Sequence, residues 1–103
     1  MRAVLIGMVA ASAMVLAGNA QADAALATSS GCLNCHQVEV KTVGPSLKDI
    51  AAKYDGQDGA SDHLAAQIKN GSNGVWGPIP MPPNAAVSDD DAKVLADFIL
   101  SLN

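Results

Sequence analysis

Cys32-Leu33-Asn34-Cys35-His36 places two thiols two residues apart, with an imidazole directly after the second. This is the C-x-x-C-H pattern of c-type haem attachment. The chemistry requires those residue types at that spacing. Two thiols so placed can add to the two vinyl groups on one edge of a porphyrin, and the next residue can offer a ring nitrogen to the iron as proximal ligand. Thioether bonds do not dissociate, so the chain stays tethered to its cofactor. A plain disulfide or a thioredoxin-like redox pair is the competing reading, but the latter expects a βαβ pattern around the motif. A zinc site would need further Cys or His ligands, and only His63 remains.

The second axial ligand depends on how much of the chain is retained. Met1-Arg2 precedes an apolar run from Ala3 to Ala17, and Ala20-Gln21-Ala22 forms a small-x-small pattern. These features predict a secretory signal peptide over residues 1–22, cleaved before Asp23. The apolar run of 15 residues is shorter than the roughly 20 needed for a spanning helix, so no stable membrane insertion is expected after cleavage. Met1, Met8 and Met14 leave with the signal, and Met81 becomes the sole methionine of residues 23–103. The alternatives are His63, placed on a polar helix, and a lysine. Met81 lies in Gly77-Pro78-Ile79-Pro80-Met81-Pro82-Pro83-Asn84, where prolines reduce the freedom lost when the loop orders. A lone Met more often fills core space, but this one sits in a Pro-rich loop 45 residues beyond His36. His36/Met81 ligation would fill both axial positions and raise the potential, leaving single-electron transfer rather than catalysis at the iron. A haem with an open distal site, acting as a peroxidase or sensor, would require Met81 to be off the iron.

The elements that must position these residues are helical. Asp23 to Ser30 is a short helix stopped by Gly31, and Ser46 is an N-cap for Leu47 to Tyr54. A third helix spans about Ser61 to Asn70, with Leu64, Ala65 and Ile68 on one face and Gly71 ending it. Gly71 to Val87 carries too many Gly and Pro residues for regular structure, and a 17-residue irregular loop in a small domain implies a task for it. Ser88 and Asp91 open a last helix in the manner of a capping box, with Leu95, Phe98, Ile99 and Leu102 on its apolar face. The fold class is therefore all-α, one domain over residues 23–103, about four helices wrapped around one covalent haem. With only Tyr54, Trp76 and Phe98 as aromatics, so small a core needs a staple, and haem supplies one. The retained part has five lysines against ten acidic residues, a net charge of −5. No basic patch points to nucleic acid.

At this point the sequence resembles the small bacterial class I cytochromes c of the cytochrome c-551 group. The resemblance rests on Val43-Gly44-Pro45, on Lys48 to Tyr54 (KDIAAKY) and on Ile68 to Asn84 (IKNGSNGVWGPIPMPPN), and covers essentially all of residues 23–103. It implies that the Pro45 carbonyl holds the outer nitrogen of His36, that Trp76 donates to a haem propionate, and that Asn84 orients near the Met81 sulfur. It further implies that the terminal helices cross with Phe98 in their contact, and that Ile68 and Val75 line the haem. Gln67 falls where close relatives often carry a basic residue that contacts a propionate, and Asn84-Ala85-Ala86-Val87 is one Ala longer than the usual form. The function implied is that of a monomeric electron carrier in the periplasm of a Gram-negative bacterium, not an enzyme. Its implied partners are a membrane bc-type complex and a terminal reductase such as nitrite reductase, cytochrome oxidase or cytochrome c peroxidase.

Overall fold

The computed structural model describes residues 23–103; the expected signal peptide, residues 1–22, lies outside them. Helix α1 includes residues 23–29 and is closed by Gly31, whose φ of 81° lies in the left-handed region that glycine enters without steric cost. One turn of 3₁₀ helix, Cys32–Asn34, follows. Helices α2 (Leu47–Tyr54), α3 (Ala60–Asn70) and α4 (Asp89–Leu100) complete the set, and the described residues contain no strand.

Each later helix has a local reason to start and stop. Ser46 Oγ accepts the amide of Asp49 at 3.0 Å at the head of α2, and Ser88 Oγ accepts that of Asp91 at 3.0 Å at the head of α4. Both hydroxyls satisfy an amide that the helix itself leaves without a partner. Three aspartates, Asp89, Asp90 and Asp91, occupy the first turn of α4, where the positive end of the helix dipole favours them. Helix α3 starts one residue earlier than the sequence suggests, at Ala60, because Gly59 takes a left-handed φ of 75° and serves as its N-cap. Gly71 ends it, its amide reaching the Gln67 carbonyl at 2.8 Å.

An eight-residue helix such as α2 does not persist alone in water, so packing must hold it. Leu47, Ile50, Ala51 and Tyr54 form its buried face. Leu47, Ile50 and Tyr54 meet Leu64 and Ile68 of α3, and Ala92, Leu95, Ala96 and Ile99 of α4, in one buried cluster. Burying a side chain such as Leu47 or Leu95 contributes about 1.5–3 kcal/mol. Ala27 of α1 belongs to the same cluster, with Leu26 and Phe98 packed against its margin. Side-chain contacts fasten α3 to α4 on the outside: Ser61 donates to Asp97, and Lys93 pairs with Asp62 at 2.5 Å. At the other end Lys69 donates to the Val87 carbonyl at 2.6 Å and lies 3.3 Å from Asp89, tying the end of α3 to the start of α4. The segment between these helices is irregular apart from one antiparallel bridge between Ser72 and Met81.

Candidate cofactor site

The two cysteines stand on the turn that follows α1. The amides of Cys35 and His36 both fold back to the Cys32 carbonyl, at 3.3 and 3.0 Å. Both thiols are half-buried and free, with no disulfide between them. Burial pushes the Cys32 thiol above its ordinary value, the opposite of the electropositive setting that activates a redox cysteine. Among the described residues no group of three His, Cys, Asp or Glu side chains is arranged to hold a metal ion.

His36 is fixed from two sides. Its Nδ1 lies 2.8 Å from the Pro45 carbonyl oxygen. A carbonyl can only accept, so Nδ1 is the donor, and in the neutral ring this leaves the lone pair on Nε2. The ring also rests directly on Gly44: a Cβ there would fall 2.7 Å from His36 Cε1 and 2.9 Å from Nδ1. The Gly44 amide donates to the Cys35 carbonyl at 2.7 Å, and the Thr42 hydroxyl reaches the same oxygen at 2.8 Å. The loop that presents Pro45 is therefore folded back onto the motif itself.

Met81 is placed by an equally short circuit. Its amide donates to the Ser72 carbonyl at 2.9 Å, and its carbonyl accepts from the Ser72 amide at 3.0 Å. The chain just past α3 therefore holds Met81 directly, although eight residues lie between Ser72 and Met81 in the sequence.

These groups share one cleft. Cys32, Cys35, His36 and Met81 all line it, with Ile50, Leu64, Ile68 and Val75 among its apolar walls. It holds about 230 Å³, where one water needs about 10–15 Å³. Two thiols, an imidazole with a free Nε2 and a thioether on an apolar cleft form a donor set that fits haem c. The fit extends to the mouth. Pro45, Gln67 and Trp76 also line the cleft, and the Trp76 ring, partly exposed, carries Lys53 Nζ over its face at 4.8 Å.

Two residues stand elsewhere. Asn84 is outside the cleft lining; its side-chain amide donates to the Ser30 carbonyl at 3.1 Å and its backbone amide to that of Ile68 at 3.0 Å. It thus joins the ends of α1 and α3 to the Met81 loop. His63 lies outside the cleft and packs at a tilt against Tyr54, ring centres 5.3 Å apart. Sequence reasoning meets Gly44 and Lys53 only as members of motifs, and Gly71 only as the end of a helix, without a contact for any of them. Gly44 had a signal of sorts in its position beside Pro45, but the contacts of all three join segments distant in sequence.

Comparison with known proteins gives a consistent set of relatives. The family described as cytochrome c matches residues 18–103. The chain is 62% identical to cytochrome c-552 of Nitrosomonas europaea over 102 residues, covering 99% of both chains. It is 62% identical to cytochrome c-551 of Pseudomonas aeruginosa over 73 residues, covering 71% of this chain and 69% of that one. The crystal structure of wild-type Nitrosomonas europaea cytochrome c552 superposes with a TM-score of 0.76 at 64% identity, covering 78% of this chain and 99% of that one.

Proposed function

The chain belongs to the cytochrome c family, and from that premise we propose that it carries single electrons in the periplasm of a Gram-negative bacterium, from a membrane bc-type complex to a terminal reductase. That it is a small electron carrier with covalently bound haem c and iron, and not an enzyme, follows from the family and its relatives. The finer reading concerns which residues do what. Cys32 and Cys35 hold the haem edge, His36 and Met81 hold the iron, and residues 1–22 are removed on export. The relatives bearing the c-551 and c-552 names come from Nitrosomonas and Pseudomonas, which supports the periplasmic assignment.

One observation carries the ligand assignment. His36, with its Nδ1 proton committed to Pro45, lines the same apolar cleft as Met81. Haem bound there supplies a one-electron Fe(III)/Fe(II) couple. The chain's residues do the rest. Pro45 holds the imidazole and raises its basicity, while Gly44 limits its swing. The apolar walls exclude water and favour the less charged iron, and a soft thioether raises the potential further. Met81, as the second residue holding the iron, would keep exogenous ligands away. Val43 and Ile79 line the cleft yet stay more than half exposed, offering partners a small apolar contact of the kind suited to transient encounters. The terminal reductase proposed as acceptor is a nitrite reductase, a cytochrome oxidase or a cytochrome c peroxidase.

The test is the visible spectrum of the purified holoprotein beside that of Met81→Ala. The oxidised wild type should show the weak far-red Met-to-iron band, and its reduced form should not bind carbon monoxide. Met81→Ala should lose the band, bind carbon monoxide and have a markedly lower potential. A Met81→Ala protein that keeps the band would sink the ligand assignment, and carbon monoxide binding by the reduced wild type would favour an open-site haem. Export is tested separately, by finding Asp23 as the N-terminus of the periplasmic protein.

A further inference from the structure

Gly71 is more than the residue that stops α3. A Cβ built on it would lie 2.5 Å from the Met81 carbonyl oxygen, 3.0 Å from the Pro83 nitrogen and 3.1 Å from the Pro82 carbonyl carbon. All three are backbone atoms, so no flexible side chain can swing aside. Contacts under 3.0 Å between a Cβ and backbone essentially never occur in folded chains, and an ordinary van der Waals separation begins near 3.4 Å. The backbone at residue 81 would have to retreat by several tenths of an ångström. It cannot do so by local flexing, because Pro80, Pro82 and Pro83 fix φ at three of the four positions from 80 to 83.

The geometry points to Gly71 as a positioning residue for the axial thioether: its missing side chain is what lets the end of α3 press against the Met81 backbone and set how far the sulfur reaches into the cleft. This rests on Met81 being the iron's ligand. A thioether bonds weakly, and a site of this kind is held to within about 0.5 Å by its surroundings. A methyl group at residue 71 therefore consumes the whole tolerance.

The fold contains its own control. Gly74 has a φ of 73°, close to the 79° of Gly71, and a Cβ added there meets nothing within 4 Å. Gly71→Ala and Gly74→Ala each place a side chain at a positive φ, and only the first adds a collision with Met81. In the holoprotein, Gly71→Ala should lose most of the far-red band, bind carbon monoxide when reduced and show a lowered potential. Gly74→Ala should match the wild type in all three. If Gly71→Ala keeps the full band and excludes carbon monoxide, the proposal is overturned. Should Gly71→Ala fail to accumulate, Gly71→Ala/Pro83→Gly gives the loop room to yield and is compared with Pro83→Gly alone. A weaker band in the double variant supports the proposal, whereas equal bands overturn it. Failure of the underlying ligand assignment is recognised independently, because Met81→Ala would then retain the band whatever Gly71→Ala does.

Discussion

The imidazole of His36 lies close enough to Gly44 that a single methyl group on residue 44 would stand 2.7 Å from its Cε1. Gly44 has no positive φ, so its requirement for glycine comes from the ring and not from the backbone. Gly44→Ala should therefore behave as an overpacked site, costing about 1–3 kcal/mol. In a domain of this size each kcal/mol lowers Tm by about 4–8 °C. Thermal unfolding of the holoprotein checks this, and an unchanged Tm would mean that the ring moves aside freely.

The two serine caps offer a second test. Ser46 is 2% exposed, whereas Ser88 is open to solvent. Ser88→Ala exposes the freed amide to water and should cost about 0.5–1 kcal/mol, the lower part of the range for cap removal. Ser46→Ala leaves that amide with little access to water, and should cost about 1–2 kcal/mol. Urea midpoints of the two variants measure the difference; equal or reversed losses would contradict the burial argument.

Gln67 lines the cleft in the place where the resemblance leads one to expect a basic residue. Gln67→Arg adds a positive charge near the iron and favours the reduced state by simple Coulomb attraction. The potential should rise slightly in a redox titration at neutral pH. An unchanged or lower value would mean that residue 67 does not face the haem.

Lys93 concerns alkaline stability. A hydrogen bond from its ammonium to Asp62 is the main cause that raises its pKa above the ordinary lysine value. A raised folded value means that the charged form is favoured by folding. The contribution is thus complete below the unfolded lysine pKa, about 10.4, and disappears as pH rises through the folded value. Lys93→Met should remove a small stabilisation at neutral pH and flatten the alkaline limb of the stability curve above about pH 10, where the wild type loses that contribution as well. The pair is exposed, so added salt should shrink the difference. A steep alkaline limb retained in Lys93→Met would exclude this source.

The sequence was legible where local chemistry decides the structure. Ser46 and Ser88 cap as their types demand, Gly71 stops α3, and the spacing of Leu47, Ile50 and Ala51 marks a buried face that the structure reproduces. The all-α architecture and the family could be read from motifs that lie within short windows. What stayed hidden joins distant segments: Ser72 to Met81, Asn84 to Ser30, Lys53 to Trp76. A backbone hydrogen bond between loops leaves no period and no preferred residue type. The same is true of a glycine chosen because another segment presses on it, as Gly59 with its open surroundings and Gly71 with its crowded ones look alike in sequence.

The Ser72–Met81 pair closes a ring. Its two hydrogen bonds tie off residues 73–80 at the neck, so the stretch carrying Trp76 and the exposed Ile79 is a pendant whose attachment points are held together. Bending of such a pendant changes its tip far more than its neck. A protein that presses on Ile79 can reshape the contact face while the separation between α3 and residue 81 stays constant. The mechanical compliance needed for encounters with differently shaped partners is thereby kept apart from the rigidity needed where the electron resides.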